Sequence, residues 1–268
     1  MSDQIILQRS SAAPKASTFP TEVIDLPSQG VSYSADNPLS SGRIELKLMT
    51  AKEEDILSSR NLLQKGLAID KLVESLVVDK SIKLSDMLIG DKNAVIFAVR
   101  RLAYGDNYGP VEIACPKCAA KTKVTIDLSQ LKEKELDMSL YQPGENLFEY
   151  ALPVSKVTVK FKLLTDGDEK AIEKEMVTLT KINKASSTEV TTRLKKMIVE
   201  VNGDSDPAQV KQFIDTMPSR DSLAFRQYAR SITPDINTEF PFTCSECGAE
   251  ERGAVPMTVT FFWPDAGV

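Results

Sequence analysis

The stretch Cys115-Pro116-Lys117-Cys118 and its later counterpart Cys244-Ser245-Glu246-Cys247 contain every cysteine of this 268-residue chain, which has no histidine. Two C-x-x-C pairs form the donor set of a closed tetrahedral zinc site, because the two-residue spacing lets one tight turn direct both sulfurs to a single ion. Small residues that favour turns, Ala119-Ala120 and Gly248-Ala249, follow the two pairs. The sequence therefore predicts a structural Zn²⁺ site whose ligands are Cys115, Cys118, Cys244 and Cys247.

Disulfides, a redox pair and idle thiols are the alternatives for these cysteines. The first ten residues contain no apolar region typical of a signal peptide, which favours a reducing, intracellular setting and metal ligation. A thioredoxin-like pair would open a helix, whereas Ile113-Ala114 and residues 123–126 indicate a strand, a turn and a second strand around the first C-x-x-C. The sequence also contains no apolar run of membrane-spanning length, so we expect no membrane partner.

Composition narrows the possible functions. The net charge of −5 and the pI near 5.1 argue against binding of nucleic acid that depends mainly on electrostatic attraction. The lack of histidine excludes Ser-His and Cys-His nucleophile systems and the commonest catalytic zinc ligand. The sequence has no Walker loop, no G-x-G-x-x-G and no G-x-S-x-G. We therefore expect a protein that is not an enzyme and that has no small-molecule substrate.

A pattern of an alternating strand followed directly by a helix cap occurs twice in the sequence. Residues 43–49 alternate polar and apolar side chains and run into Thr50-Ala51-Lys52-Glu53, which matches a helix capping box. Residues 157–164 alternate in the same way and run into Thr165-Asp166-Gly167-Asp168, at an offset of 115. Phe97 and Phe225 lie 128 residues apart, and the two C-x-x-C turns, called knuckles below, lie 129 apart. Because these offsets exceed 115, the second copy would contain about 13 extra residues. This predicts a tandem duplication; a second interpretation is that any zinc ribbon contains two similar hairpins and that capped helices are common.

The predicted fold class is α+β, with two related strand-plus-helices halves joined by a four-cysteine zinc-ribbon-like module and preceded by an extended N-terminal arm. The arm is residues 1–21, the first half 22–104, the module 105–130 with 237–268, and the second half 131–236. We also predict extended chain over 31–33 and an aromatic strand over 257–263. The predicted helices cover residues 51–64, 68–77, 85–88, 92–104, 166–183, 188–201, 207–216 and 219–231.

The first half carries a resemblance to a known family. Leu26-Pro27-Ser28-Gln29-Gly30-Val31-Ser32-Tyr33 is followed by residues 45–57, by Lys65-Gly66 and by Gly90-Asp91-Lys92. These stretches resemble the T4-type bacteriophage baseplate protein family over roughly residues 22 to 130. The resemblance implies a structural or assembly protein of the contractile tail's baseplate or hub and implies no enzyme. It supplies no functional residues beyond the cysteines, which are assigned from their spacing.

Three functions follow, one of them favoured. We expect a zinc-stapled virion protein of the tail baseplate hub, assembled in the host cytoplasm. Its partners would be other phage baseplate and tail proteins, contacted by residues 1–40, including the N-terminal arm, and by exposed helix faces. The first alternative is a hub assembly chaperone that is absent from the mature virion. The second is a zinc-ribbon protein that binds nucleic acid, which Lys117, Lys121 and Lys123 would favour and Glu246, Glu250 and Glu251 oppose.

Overall fold

A computed structural model describes residues 20–182, 188–257 and 261–262. The expected N-terminal arm, residues 1–21, therefore lies outside the described residues except for Pro20 and Thr21. Most of the aromatic strand expected over 257–263 also falls outside them. Among the described residues, no helix combines the length and the apolar character that a membrane crossing requires.

The described residues form eight α-helices and nine strands. The helices are α1 Ala51–Ser58, α2 Arg60–Gln64, α3 Ala68–Leu76, α4 Ile89–Tyr104, α5 Asp166–Ile182, α6 Glu189–Met197, α7 Pro207–Thr216 and α8 Ser219–Ile232. The strands are β1 Thr21–Asp25, β2 Arg43–Lys47, β3 Asn107–Ala114, β4 Lys121–Asp127, β5 Phe148–Ala151, β6 Thr158–Phe161, β7 Ile198–Val201, β8 Glu239–Thr243 and β9 Glu250–Ala254.

The strands pair into four small antiparallel sheets, β1-β2, β3-β4, β5-β6-β7 and β8-β9. The chain therefore forms a mixed helical and sheet structure, as expected. A hairpin, four helices and the hairpin of the first C-x-x-C come first. A second hairpin, four helices with one inserted strand and the hairpin of the second C-x-x-C follow.

Both predicted junctions between a strand and a capped helix are present. The Thr50 N–H donates to Glu53 Oε2 at 3.1 Å, and Lys47 Nζ lies 2.9 Å from the same carboxylate. This capping satisfies a main-chain donor at the start of α1 and places negative charge where the helix dipole favours it. The same arrangement recurs at the start of α5, where the Thr165 N–H donates to the Asp168 carboxylate and Lys162 pairs with that carboxylate.

The beginnings of α4 and α5 pack against each other. Leu88 and Thr165 form an isolated antiparallel bridge, and the Asp166 N–H donates to the Met87 carbonyl at 2.8 Å. Lys92 and Lys170 each bridge the carboxylates of Asp70 and Asp166, so two cations alternate with two anions. Because both carboxylates are buried, their burial is tolerable only with these cations in place. One continuous apolar core includes side chains from both parts of the chain.

Five expectations of local structure are wrong. The helix expected over 85–88 is absent, because the chain forms only a 3-10 turn over Leu84–Asp86 before α4 begins. The helix expected over 51–64 is interrupted at Ser59, whose ψ of 104° is extended. The helix expected over 188–201 ends at Met197, because the residues that follow are rich in β-branched side chains and form β7, which pairs with β6. Residues 31–33 form turns, and residues 261–262, the last described part of the expected aromatic strand, belong to no strand.

Part of the expected contact segment, residues 1–40, is packed into the core. Leu26, Tyr33 and Leu39 are buried in the core. Residues 26–39 are therefore anchored to the core, and Gln29, Asp36 and Pro38 are among those that stay exposed.

Candidate metal centre

The two knuckle hairpins bring together all four cysteines that the sequence predicts. Cys115 Sγ lies 3.8 Å from Cys247 Sγ, and Cys118 Sγ lies 3.7 Å from Cys244 Sγ. All four sulfurs lie within 4.8 Å of one another and could hold a metal ion. Cys115 and Cys244 are buried, whereas Cys118 and Cys247 are exposed. Each hairpin thus contributes one inner and one outer sulfur, and neither hairpin alone supplies more than two.

Each C-x-x-C sits in the same tight turn. The Ala119 N–H donates to the Cys115 carbonyl at 2.8 Å, and the Gly248 N–H donates to the Cys244 carbonyl at 3.0 Å. Both residues have left-handed backbone, with φ of 59° at Ala119 and 66° at Gly248. This conformation reverses the chain after the second cysteine, so that the next strand runs back beside the first.

Thr122 joins the first hairpin to the second knuckle. Its hydroxyl lies 3.6 Å from Cys244 Sγ as a donor and accepts the Ser245 N–H at 3.2 Å. Groups of this kind orient metal ligands from outside the coordination sphere. The sequence reasoning missed Thr122, although its signal was present: it is a buried-face position of β4 close behind the first knuckle.

Packing also holds the two hairpins together. Gly253 on β9 faces Ile113 on β3, where an added Cβ would lie 3.2 Å from Ile113 Cγ2. Tyr108 Oη donates to the Pro256 carbonyl at 3.1 Å. The absence of a side chain at Gly253 therefore allows the close approach that brings the sulfurs together.

The pKa values of two of the thiols, Cys118 and Cys244, are shifted in opposite directions. Main-chain N–H groups of Cys247 and Glu246 lower the pKa of Cys244 to about 6. The Ala120 N–H acts in the same direction on Cys118, but the neighbouring thiols, that of Cys247 first, raise the pKa of Cys118 to about 12. Like charges this close oppose one another, so four thiolates require a positive ion between them. The arrangement is suited to binding a soft divalent cation.

The surroundings do not resemble a redox site or a basic patch. Both C-x-x-C pairs lie in turns between strands, and neither opens a helix. Lys121 Nζ lies 3.2 Å from a Glu112 carboxylate oxygen, and Lys123 is the cross-strand partner of the same glutamate. Acidic side chains therefore offset the lysines that favoured nucleic acid.

The comparisons with known proteins give one match. A family model described as T4 bacteriophage base plate protein matches residues 30–263, which is most of the chain. No curated protein matches the chain, and no solved structure matches it. The match extends through both parts of the chain and both knuckles.

Proposed function

Because the chain belongs to the T4 bacteriophage base plate protein family, we propose that it is a zinc-stapled structural component of the hub region of a contractile-tail baseplate. Family membership indicates a structural role in the baseplate and a location in the virion tail. The observation that carries the proposal is the extent of the match, residues 30–263.

Zinc as the bound metal is supported by the sulfur geometry. A tetrahedral ion with Zn–S bonds of about 2.3 Å separates its ligands by about 3.8 Å. The Cys115–Cys247 and Cys118–Cys244 separations are 3.8 and 3.7 Å. An all-thiolate set also leaves no open position for a substrate or a water, so the proposed ion is structural.

A zinc ion at this site would clamp two parts of the chain that are distant in sequence. About 125 residues separate Cys118 from Cys244. A cross-link across so long a loop removes roughly 4 to 5 kcal/mol of unfolded-state freedom on the chain-entropy estimate. Metal binding would then be coupled to folding.

We further propose that the chain is a tandem duplication with the halves 22–104 and 131–236 and the shared module 105–130 with 237–268. Two repeated features support the duplication. The lysine, threonine and acid at the start of α1 recur at the start of α5. Each half also runs into a hairpin that carries one knuckle.

The proposed partners are other baseplate and tail proteins, with assembly in the host cytoplasm. Residues 1–21 are the proposed contact segment, together with exposed helix faces. Side chains such as Val177 of α5 and Leu223 of α8 are about half exposed and could add apolar contact area. No small-molecule substrate, nucleic acid or membrane enters this proposal.

Location in the particle tests the proposed role. Purified virions would be analysed by quantitative proteomics and by a cryo-EM map of the intact tail. We expect the chain in fixed stoichiometry with other tail proteins and density for it near the baseplate axis. Abundance in infected cells with none in washed particles would favour the assembly chaperone, and density at the periphery would exclude the hub.

A further inference from the structure

The space between the end of α4 and the start of β3 is filled by a distant segment of the chain. Arg100 is 1 % exposed, and its Nε donates to the Phe261 carbonyl at 2.6 Å. The other guanidinium nitrogens donate to the carbonyls of Gly105 and Asn107, each at 3.2 Å. The Phe261 ring packs edge-on against nearby aromatic rings, including Phe97 at 5.2 Å. Arg100 thus binds a segment that crosses the end of its helix.

The second part of the chain has a matching arginine. Asp91 and Asp221 are each the third residue of a long helix and are both fully buried. Arg100 follows Asp91 by nine residues, and Arg230 follows Asp221 by nine residues. Arg230, however, is exposed and borders a groove of about 940 Å³ between α6, the end of α8 and residues 233–239. Arg100 therefore contacts a distant segment of the chain, whereas Arg230, at the same distance from its buried aspartate, borders an open groove.

The groove combines an apolar floor with cations. Met197, Ala229 and Ile236 line the floor, and Arg226 and Arg230 lie one helical turn apart on its edge. Within the described part of the chain, neither arginine has a carboxylate partner; Arg226 donates only to the Ser222 carbonyl. These two guanidinium groups are available to a ligand.

The remaining charges of the groove are satisfied within the protein. Arg193 is paired with Glu169 and Glu189. Glu239 lies near Arg252, and Lys134 donates to the carbonyls at the end of α8. Asp235 accepts hydrogen bonds from Asn93 and from the Ile236 N–H. What remains for recognition is the arginine pair above an apolar floor.

We infer that this groove binds an extended segment of a neighbouring protein that presents a carboxylate next to a large apolar side chain. An arginine can bind a carboxylate through two parallel hydrogen bonds, which selects Asp or Glu over a neutral side chain. A polypeptide is favoured over a small molecule because Arg100, which stands at the same distance from a buried helix aspartate, binds the main-chain carbonyl of a polypeptide segment. The inference rests on the proposed function only for the source of the segment, a neighbouring baseplate protein.

A synthetic peptide with this chain's own sequence 257–268 is a suitable probe, because Trp263-Pro264-Asp265 places a carboxylate next to a large ring. The peptide would be fluorescently labelled and amidated at its C-terminus, so that Asp265 is its single carboxylate. We expect saturable binding to the full chain. The Arg226→Ala and Arg230→Ala variants should each bind roughly tenfold more weakly, and a peptide with Asp265→Asn should lose affinity to the same extent.

Arg220→Ala is the matched control, because Arg220 is an exposed arginine at the opposite end of α8. This variant should bind the peptide as the unaltered chain does. A photoreactive residue in place of the peptide's Trp263 should label residues between 190 and 239. Equal affinity of all three arginine variants, the absence of saturable binding, or labelling confined to residues 97–108 would each overturn the inference. None of these results depends on where the chain lies in the virion.

Discussion

Asp91 and Asp221 hold the same position in two different helices and make the same kind of contact. Asp91 in α4 accepts the Ser28 N–H at 2.9 Å. Asp221 in α8 accepts the N–H groups of Val154 and Ser155 at 2.7 and 2.9 Å. In each case a helix N-terminus is tied, through a buried carboxylate, to a loop that precedes it in the same part of the chain.

The two aspartates differ in how strongly their carboxylates are stabilised. Burial raises the pKa of Asp91, whose other partners are the hydroxyls of Ser28 and Tyr33. Burial acts in the same direction on Asp221, but hydrogen bonds from Ser155 and Val154 outweigh it and lower the pKa of that carboxyl. Hydroxyl groups can turn to donate or accept, whereas N–H groups can only donate. Within the described residues, Asp221 accepts two N–H groups and Asp91 only one, so hydrogen bonding stabilises the carboxylate form more strongly at Asp221.

Replacing Asp91 with Asn should change the pH dependence of stability in a defined direction. A carboxyl with a raised pKa in the folded state destabilises the fold as pH rises from the unfolded value, about 3.9, through the folded value. The Asp91→Asn variant lacks this titration. The difference in free energy of unfolding, variant minus unaltered chain, should therefore increase as pH rises across that window. Urea unfolding of both proteins at each pH measures the difference and cancels effects common to both.

Asp221→Asn is the counterpart and should behave in the opposite way. A lowered pKa stabilises the fold above about pH 3.9 and loses this contribution as pH falls through the folded value. Because an Asn amide would point N–H groups at the N–H of Val154 or Ser155, the variant should lose roughly 2 kcal/mol near neutral pH. Equal effects of the two substitutions at every pH would contradict the distinction between the aspartates.

Local patterns predicted the parts of this fold that local chemistry determines. The cysteine spacing predicted both knuckles, and the threonine and acid spacing predicted the starts of α1 and α5. The Phe97 and Phe225 alignment implied an offset of 128, whereas the buried aspartates, each the third residue of its helix, lie 130 apart.

Contacts between distant residues could not be predicted in this way. The bond from Arg100 to Phe261 joins residues 161 apart in sequence, and Thr122 reaches Cys244 from 122 residues away. β7 was predicted as helix because its β-branched residues gain their strand only by pairing with β6. Pairing of this kind depends on the folded arrangement, which a single sequence does not contain.

Serine in place of either outer cysteine should abolish metal binding equally. Cys118→Ser and Cys247→Ser each leave three thiols, one variant altered in the first hairpin and the other in the second. If one ion joins the hairpins, both variants should lose bound zinc and melt roughly 10 °C lower, and a chelator should have little further effect on them. Elemental analysis and calorimetry measure the two quantities. Ser245→Ala is the control, because it leaves all four sulfurs in place and should retain the metal.

The left-handed residues of the knuckles should respond in opposite directions to an exchange of glycine and alanine. Ala119 has φ of 59°, which costs an alanine more than a glycine, and Gly248 has φ of 66°. Ala119→Gly should raise the free energy of unfolding by roughly 0.5 kcal/mol, and Gly248→Ala should lower it by roughly 1 kcal/mol. Denaturant titration at saturating zinc would show whether the signs differ; a loss of stability in Ala119→Gly would mean that the turn is not strained.

Gly90 should be the least tolerant glycine of the helices, because the main chain after α8 lies directly against it. An added Cβ would overlap the Pro234 carbonyl and lie 2.9 Å from the Asp235 Cα. Alanine is favoured over glycine inside a helix by about 1 kcal/mol, so propensity alone would make Gly90→Ala stabilising. We expect the overlap to dominate and to lower the free energy of unfolding by roughly 3 kcal/mol.

Gly203→Ala is the control: nothing lies within 4 Å of its added Cβ, and its φ of 87° should cost roughly 1 kcal/mol. Thermal unfolding of both variants measures the difference, and a Gly90→Ala protein as stable as the unaltered chain would show that α4 and the segment after α8 are not in contact.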